Sequence, residues 1–346
     1  MRVLIYGEFS GYGESLARGF KTNGWEAEVF SPNGDSFKEI DSALRLTSRF
    51  SLIKIFQLMC LIPTFCNFDK ILITNPSFFS IFKGAGIIPL LIFLVLKKDL
   101  YLICCGDDVE YVKSGENGTV KKYIYSGVKY PKKKYFSRRL DVLVNHLCAS
   151  YAKKIIPVMY DYEIAWKNSI FFEKLTKTIP LACFVEPKPR VKPVDYNCIN
   201  ILHGVNRPSV KGTDKIISAL DKLKKEFSNI VIHCPVRLKK QDYLSLFDKI
   251  DIAIDQSKGH SYGMNAIYSM MYGHIVLAPA DENFNSSFGI HDNPIIAIEY
   301  DEDYIYEQLK KLIISRNLDQ LKMATQEFAF KHHDCNKVAL QFMALM

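Results

Sequence analysis

The chain has 346 residues, of which 48% are apolar and 24% charged, a balance typical of a globular protein long enough for two domains. Nine cysteines without a C-x-x-C pair argue against a disulfide or zinc framework. The net charge of +8 is moderate, and the opening MRVLIYGEFSGYG shows no secretory pattern, so we expect a reduced, cytoplasmic protein.

The first half of the chain alternates predicted strands and helices. The apolar run Arg2–Tyr6 predicts a buried parallel strand, followed by a helix at residues 16–21 and a second strand at 27–30. Further strands are predicted at residues 70–74, 100–105 and 154–158. This alternation is typical of a parallel sheet with helices on both faces.

Three glycines, Gly7, Gly11 and Gly13, follow the first strand as G-x3-G-x-G. A dinucleotide site needs G-x-G-x-x-G and an acidic residue after the second strand, where Ser31 stands, so we do not expect nicotinamide binding. Either Gly11 and Gly13 let an acceptor sugar or a phosphate approach the backbone, or the loop is a simple tight turn.

The apolar run GAGIIPLLIFLVL covers residues 84–96. It is shorter than the roughly 20 residues that a membrane span needs, and Pro89 interrupts it. We therefore expect a buried or interfacial helix.

Polar residues follow the third and fourth predicted strands. Asn75 is expected on the acceptor side, and CCGDDVEY places Asp107 and Asp108 after the fourth strand. One of these carboxylates is a candidate general base of an inverting enzyme or a group that orients the acceptor. The alternative is a turn-forming Gly-Asp-Asp.

Residues 110–140 contain nine Lys or Arg and two Glu, interleaved with Tyr and Phe. Such a segment suits an anionic membrane surface, and a solvated loop is the alternative. No nucleic-acid module accompanies it, so nucleic acid is not an expected partner. The candidate membrane residues are Lys132, Lys133, Lys134, Arg138 and Arg139.

A proline-rich linker at residues 186–198 precedes a second alternating region. Its predicted strands are Ile199–His203, Ile230–His233, 252–255 and Ile275–Ala278. Its predicted helices are 213–227, 241–249, 307–316 and 318–346.

The loop after the first strand of this region reads HGVNRPSVKGTDKI. Arg207 and Lys211 would stand at the carboxyl end of a parallel strand, where cations suit a diphosphate. His203, Gly204 and Asn206 are further candidates for donor contact, although a histidine at such a position is often simply packed.

The stretch DQSKGHSYGMNAIYSMMYGHIVLA predicts a strand, a short helix and another strand. Gly263 leaves room for an anion to approach the amides of Met264 and Asn265 at the start of the helix. Gly273 is expected to end it.

Together, INILHGVNRPSVKGTDKI, FDKIDIAIDQSKGHSYGMNAIYSMMYGHIVLA and FAFKHHD resemble the C-terminal nucleotide-sugar domain of GT-B glycosyltransferases, in particular bacterial polysaccharide enzymes related to the large retaining E-x7-E family. The resemblance implies that Arg207 and Lys211 neutralise the donor diphosphate. The family's two glutamates fall on His260 and Tyr268, so neither carboxylate is present. The other implied donor residues are Pro235 and Val236 at the nucleobase and Ser261, Tyr262, Gly263, Met264 and Asn265 at the phosphates.

The expected fold class is therefore α/β, of the GT-B type, with two doubly wound Rossmann-like domains facing each other across a cleft. The expected bounds are an acceptor domain at 1–185, the linker at 186–198, a donor domain at 199–325, and a helix at 326–346 that crosses back to the first domain.

The expected function is a glycosyltransferase that uses a nucleotide-sugar and neither a cofactor nor a metal. Its acceptor would be a lipid-linked or oligosaccharide precursor of capsule, O-antigen or lipopolysaccharide, and the protein would be peripheral at the inner membrane. The rivals are a catalytically silent GT-B scaffold subunit, a GT-B sugar-nucleotide epimerase and an oxidoreductase.

Overall fold

The structure is a computed structural model that describes residues 1–32, 44–236 and 245–346. The chain divides into two compact units. The first consists of Met1–Lys121, Tyr130–Phe184 and Cys335–Met346, and the second of Lys122–Lys129 and Val185–Asp334. The Lys122–Lys129 segment thus leaves the first unit and packs with the second, and nothing in the sequence pattern marks this excursion.

A parallel sheet forms the centre of the first unit. In the part of this unit that the structure describes, its six strands are β1 Arg2–Tyr6, β2 Glu26–Ser31, β3 Leu44–Arg45, β4 Lys70–Ile73, β5 Asp99–Cys104 and β6 Lys154–Pro157. Their order is β3-β2-β1-β4-β5-β6, with every pair parallel. The order reverses between β1 and β4, and α/β sheets bind ligands outside the carboxyl ends of the strands at such a switch point.

Helices cover both faces of this sheet, which is why β1 and β4 are apolar and almost wholly buried. The helices are α1 Tyr12–Thr22, α2 Ser51–Phe65, α3 Ile87–Val95, α4 Val109–Glu116, α5 Arg139–Tyr151 and α6 Tyr160–Lys167. One core cluster joins α2, α3 and α5 to the strands through Phe65, Phe93 and Val144.

The second unit is also doubly wound. Among its described residues, the strands are β7 Ile199–His203, β8 Ile230–His233, β9 Ile252–Ile254, β10 Ile275–Ala278 and β11 Ile296–Ala297, ordered β11-β10-β9-β7-β8 and parallel throughout. The helices are α7 Pro208–Lys211, α8 Thr213–Glu226, α9 Met264–Met271, α10 Glu282–Phe288, α11 Glu302–Ser315 and α12 Leu318–His332. The switch point here lies between β7 and β9.

The C-terminal region differs from the sequence-based expectation. The single helix predicted over 318–346 is wrong, because α12 ends at His332 and a separate helix, α13 Cys335–Leu345, begins three residues later. The physical reason is that α13 buries an apolar face against α1 of the first unit, with the rings of Phe20 and Phe342 6.4 Å apart. A Cβ at Gly19 would collide with the carbonyl of Cys335, so only glycine permits this close packing.

Several predicted elements are confirmed with their bounds, namely Arg2–Tyr6, Ile199–His203, Ile230–His233 and Ile275–Ala278. Gly273 lies just beyond α9 with φ 75°, the left-handed conformation expected where it ends the helix. The predicted helix at 241–249 falls partly outside the described residues.

Candidate functional site

The switch point of the second unit collects several sequence-predicted donor residues. The chain places Arg207 and Lys211 after β7 and places Asp255 and Gly263 after β9. These strands are neighbours in the sheet and run parallel, so both loops leave the same edge. This edge is where α/β folds bind nucleotides.

Lys211 forms a buried ion pair across this switch point. Its Nζ lies 2.7 Å from Oδ1 of Asp255, and the two side chains are only 11% and 2% exposed. The backbone amide of Ser257 also donates to the carbonyl of Lys211. An ammonium at such depth needs a counter-charge, which Asp255 supplies. The predicted contact between Lys211 and a donor diphosphate remains a prediction.

Asp255 also occupies the N-terminus of α9. Its Oδ2 accepts a hydrogen bond from the Gly263 N–H at 3.1 Å, and its Oδ1 lies 3.4 Å from Nδ2 of Asn265. Burial raises the pKa of Asp255, but the charge and hydrogen bond of Lys211 and the Gly263 N–H outweigh it, so the pKa lies below its usual value. The Gly263 N–H therefore donates to an internal carboxylate here, and the predicted binding of a donor phosphate at this corner remains a prediction.

Ser261 has unused hydrogen-bonding capacity at the same corner. Its side chain is buried, and its Oγ has no hydrogen-bond partner in the described part of the chain, an uncommon state for a buried hydroxyl. The neighbouring Tyr262 is engaged, since its hydroxyl lies 2.8 Å from Nε2 of His333. Met264 is buried in the core. Of Ser261, Tyr262 and Met264, Ser261 therefore retains a side-chain hydroxyl that could bind a donor.

Arg207 is an exposed cation in a constrained conformation. Its φ of 71° lies in the left-handed region, which is costly for a residue other than glycine. Its guanidinium NH2 donates to the hydroxyl of Tyr125 at 2.7 Å, and Tyr125 is itself buried in the Lys122–Lys129 segment. The neighbouring Asn206 is also exposed. The excursion from the first unit thus orients the cation at the carboxyl end of β7.

His203 is packed rather than presented at the edge. Its Nδ1 lies 3.0 Å from the carbonyl of Ile254 and its Nε2 lies 2.9 Å from Oγ1 of Thr213. A carbonyl only accepts, so Nδ1 carries the proton and Nε2 accepts from Thr213. Burial lowers the pKa of His203 to about 4, which keeps it neutral at pH 7. The geometry favours the alternative in which His203 is simply packed. Gly204 is the first residue after β7.

His260 belongs to a second charged cluster at this edge. Its Nδ1 lies 2.6 Å from Oδ2 of Asp281, and its Nε2 accepts from the amide of Lys122, whose Nζ is 3.2 Å from the same carboxylate. Burial raises the pKa of Asp281, but His260 and the other donors outweigh it and lower the pKa to about 2. Tyr268, the other position of a family glutamate, is half-buried on α9.

The predicted nucleobase residues lie at the carboxyl end of β8. The carbonyl of Pro235 accepts from the amide of Val205, and Val236 is 64% exposed. An exposed apolar side chain beside strand-end backbone groups suits a nucleobase. This role remains a prediction.

In the first unit, an internal carboxylate satisfies the glycine-rich loop. Glu8 accepts from the amide of Gly11 at 2.7 Å and from that of Glu14 at 2.9 Å, at the N-terminus of α1. A Cβ at Gly13 would come within 2.9 Å of the same carboxylate. This geometry favours the tight-turn alternative, because the amides that a phosphate would use already have an acceptor.

Asn75, Asp107 and Asp108 form one connected turn. Asn75 is wholly buried, and its Nδ2 donates to the carbonyls of Cys105 and Asp107 at 2.9 and 3.0 Å. Asp108 caps α4 through the amide of Tyr111 and accepts from Trp166, so its carboxylate is structural. Burial raises the pKa of Asp108 to about 7. Asp107 is half-buried, and its predicted role as a general base or as a group that orients the acceptor remains a prediction.

Much of the basic segment lines a cavity of about 680 Å³ in the first unit. Lys132, Lys134 and Arg138 contribute to it, together with residues that follow β1 and β4, so it opens at the switch point of the first sheet. The hydroxyl of Tyr135, which also lines it, donates to Asp107 at 2.5 Å. Lys133 and Arg139 are exposed and are not part of this lining. The sequence gives these five cations one predicted role, whereas in the structure three of them line the cavity and two do not.

Sequence reasoning missed Asp255, Asp281, Tyr125 and Ser80. Asp255 and Asp281 each follow closely on a buried strand, a signal that could have placed them at the edge. Tyr125 gave no such signal, because its contact with Arg207 depends on the excursion of the Lys122–Lys129 segment. Across residues 1–32, 44–236 and 245–346 no cluster of His, Cys, Asp and Glu could hold a metal, and no described helix is long and apolar enough to cross a membrane.

Two parallel, doubly wound α/β units define the GT-B fold, and the expected fold class is confirmed. Alr3699/HepE from Anabaena in complex with UDP-glucose matches 100% of both chains with 11% identity and a TM-score of 0.61. Sucrose-phosphate synthase from Thermosynechococcus elongatus has 11% identity and a TM-score of 0.65, with 100% of this chain and 98% of that chain covered. A glycosyltransferase from Rickettsia africae has 13% identity and a TM-score of 0.57, with 99% and 97% covered. No family model and no curated protein matches the sequence.

Proposed function

We propose that the chain is a glycosyltransferase that moves a sugar from a nucleotide-sugar to a growing bacterial surface glycan, such as capsule, O-antigen or lipopolysaccharide. The observation that carries this proposal is the full-length likeness to glycosyltransferases and to proteins solved with UDP-glucose. The likeness extends over both units, so it includes the donor and acceptor halves of such an enzyme.

The donor would bind at the switch point of the second unit. Arg207 is exposed there and can donate a fork of hydrogen bonds to a diphosphate. Ser261 offers a hydroxyl that makes no hydrogen bond to any residue within 1–32, 44–236 or 245–346. Lys211 donates one hydrogen bond to Asp255 and keeps further N–H groups, so it would assist the phosphates while it holds the Gly263 corner in place.

The chemical step would depend on electrostatics. As the glycosidic bond to the leaving nucleoside diphosphate breaks, negative charge grows on the diphosphate, and fixed donors stabilise that charge more than they stabilise the ground state. In this proposal Arg207 and Lys211 supply this stabilisation without a metal. Asp107, held by Tyr135, would orient the acceptor hydroxyl or take its proton.

We place the enzyme in the cytoplasm, at the surface of the inner membrane. In the first unit, α2 exposes Leu52 and Phe56, and α3 exposes Leu91 and Val95. Residues 44–66, which include α2, carry three Lys or Arg and no acidic residue, so this surface suits an anionic bilayer. Sedimentation with anionic vesicles tests the location: Phe56→Glu should reduce binding, and unchanged binding would remove α2 from the interface.

A catalytically silent scaffold subunit is the second candidate. Two observations favour it: the Asp255 carboxylate binds the helix N-terminus that a donor phosphate would use, and His260 and Tyr268 stand at the positions of the family glutamates. In that case the carboxylate of Asp255 would occupy the position of a donor phosphate, rather than hold the helix N-terminus in the geometry that binds one.

Calorimetry with UDP-, GDP-, dTDP- and CMP-sugars separates the two candidates. A transferase should bind one of these donors with micromolar affinity, and an exposed Arg at a diphosphate should make the enthalpy favourable. A chain that binds none of the four is a scaffold, and the transferase proposal fails.

A further inference from the structure

The cavity of about 680 Å³ at the first switch point is lined by two chemically different sets of residues. We call the cations and hydroxyls the polar wall and the aromatic rings the apolar wall. The lining residues are Phe9, Ser77, Phe78, Ser80, Ile81, Phe82, Lys132, Lys134, Tyr135, Phe136, Arg138 and Asp141. Its volume is that of a typical small-ligand site.

The polar wall carries an uncompensated positive charge. Arg138 is neutralised by Asp141, with which it forms two hydrogen bonds of 2.8 and 2.6 Å. Lys132 and Lys134 are exposed, and neither has an ion-pair partner among the residues that the structure describes. Two exposed lysines on the lining of one cavity, whose carboxylate Asp141 is already engaged by Arg138, favour an anionic ligand.

Ser80 provides an independent observation on the same wall. It is 8% exposed, and its Oγ is buried without a hydrogen-bond partner among the residues that the structure describes. Native proteins seldom leave a buried hydroxyl unpaired, and a ligand oxygen is one way in which it becomes satisfied. A hydroxyl and two ammonium groups on the lining of one cavity form a donor set that suits a phosphate group.

The apolar wall consists of rings held in unusual backbone conformations. Phe82 and Phe136 have φ values of 53° and 52°, in the left-handed region that bulky residues avoid. The rings of Phe9 and Phe78 lie 5.0 Å apart beside them. Strained residues persist where a site requires them, and here both strained side chains face the cavity.

We propose that this cavity binds the phosphate group of an acceptor that also carries an apolar chain. Lys132, Lys134 and Ser80 hold the phosphate oxygens, and the rings of Phe82 and Phe136 hold the first part of the chain. The acceptor is then a phosphorylated lipid-like molecule rather than a neutral oligosaccharide. The role of this ligand as the acceptor rests on the proposed transferase function. The binding of the ligand to the cavity does not.

The test uses the full chain and calorimetry with four probes below any micelle concentration: farnesyl phosphate, farnesol, glucose 1-phosphate and inorganic phosphate. Farnesyl phosphate should bind at least tenfold more tightly than each of the others, because it alone offers both an anion and a chain. Equal affinity for inorganic phosphate would overturn the apolar half of the proposal. Equal affinity for farnesol would overturn the anionic half.

The residues are tested with a charge-matched pair of variants. Lys132→Ala/Lys134→Ala should weaken farnesyl phosphate binding at least tenfold. Lys121→Ala/Lys133→Ala removes the same charge from exposed positions outside the cavity and should change it less than twofold. Equal losses in both variants would show a general electrostatic attraction and no site.

Ser80→Ala gives a milder check, since the hydroxyl holds no other group and its loss leaves the fold intact. We expect a loss of affinity of a few-fold, and no loss would remove Ser80 from the site. UDP-glucose is titrated into the same samples. If farnesyl phosphate binds and no sugar nucleotide binds, the transferase proposal fails and the cavity proposal stands. If a sugar nucleotide binds and farnesyl phosphate does not, only the cavity proposal fails.

Discussion

The lysines near the two switch points of this molecule differ in whether they form ion pairs within the protein. In the second unit two of the cations near the edge form ion pairs within the unit: Lys211 is paired with Asp255, and Lys122 with Asp281. In the first unit Lys132 and Lys134 face a cavity without an ion-pair partner among the described residues. At an α/β edge of this kind, the cations can thus be neutralised by the protein's own carboxylates, or they can remain for a bound anion to neutralise. Mutations at each edge should therefore have different consequences.

The largest effect is expected when the internal pair of the second unit is broken. Lys211→Ala leaves the carboxylate of Asp255 buried without its cation, which costs about 3–5 kcal/mol. Urea denaturation should show this loss in the free energy of unfolding. As a control, Lys215→Ala removes a surface partner of Glu302 and should cost less than about 1 kcal/mol.

A double variant sharpens this result. Lys211→Met/Asp255→Leu removes both charges together and should recover most of the stability, because the burial of an unpaired charge is the main penalty. If Lys211→Ala were as stable as the parent, the ion pair would not hold this edge together.

The next effect concerns ligand binding without a loss of stability. Arg207→Ala removes an exposed cation and should weaken the binding of the preferred sugar nucleotide about tenfold or more, since a charge-assisted hydrogen bond contributes about 1.5–3 kcal/mol. The melting temperature should change little. Arg190→Ala, at another exposed arginine of the same unit, is the matched control, and an equal loss there would remove Arg207 from the donor site.

A pH titration contrasts the carboxylates of the two units. Burial raises the pKa of Asp108 to about 7, so its contribution to stability is fully present below the unfolded pKa near 4 and is lost as the pH rises through 7. Over this window the slope should reach about 1.4 kcal/mol per pH unit. Asp108→Asn should flatten it, and an unchanged slope would assign the effect elsewhere.

Asp281 of the second unit responds in the other direction. Its pKa is lowered to about 2, so its contribution is present above the unfolded pKa near 4 and is lost as the pH falls towards 2. Asp281→Asn should therefore reduce the acid-induced loss of stability below pH 4 while it leaves the window between pH 4 and 7 unchanged.

The smallest effect should come from Tyr125. Tyr125→Phe removes one hydrogen bond to Arg207, and a contribution of about 0.5–1.5 kcal/mol corresponds to a two- to tenfold loss of donor affinity. In the Arg207→Ala background the same change should have almost no effect, because the partner is already absent. Additive losses would show that Tyr125 does not act through Arg207.

The sequence supports much of the fold because most strands are short apolar runs between polar or glycine-rich segments. Arg2–Tyr6 and Ile275–Ala278 are examples, and their bounds were predictable for that reason. The break between α12 and α13 was not, since neither glycine nor proline marks residues 333 and 334 and the cause is packing of Phe342 against Phe20.

The candidate site was less accessible to sequence reasoning. Arg207 and Gly263 could be placed at a strand end and a helix start, but Lys211 and Asp255 are separated by 44 positions along the chain, so their pairing appears only in three dimensions. The basic segment likewise gives one pattern, although Lys132 and Lys133 have different surroundings in the fold.

The most direct test of the central claim is a crystal structure of the chain with UDP-glucose. The account predicts the diphosphate at the carboxyl ends of β7 and β9, within hydrogen-bond distance of the Arg207 guanidinium and the Ser261 hydroxyl, with the Lys211–Asp255 pair retained. A nucleotide bound anywhere else, or an edge that stays empty at saturating UDP-glucose and at saturating concentrations of the other sugar nucleotides, would contradict it.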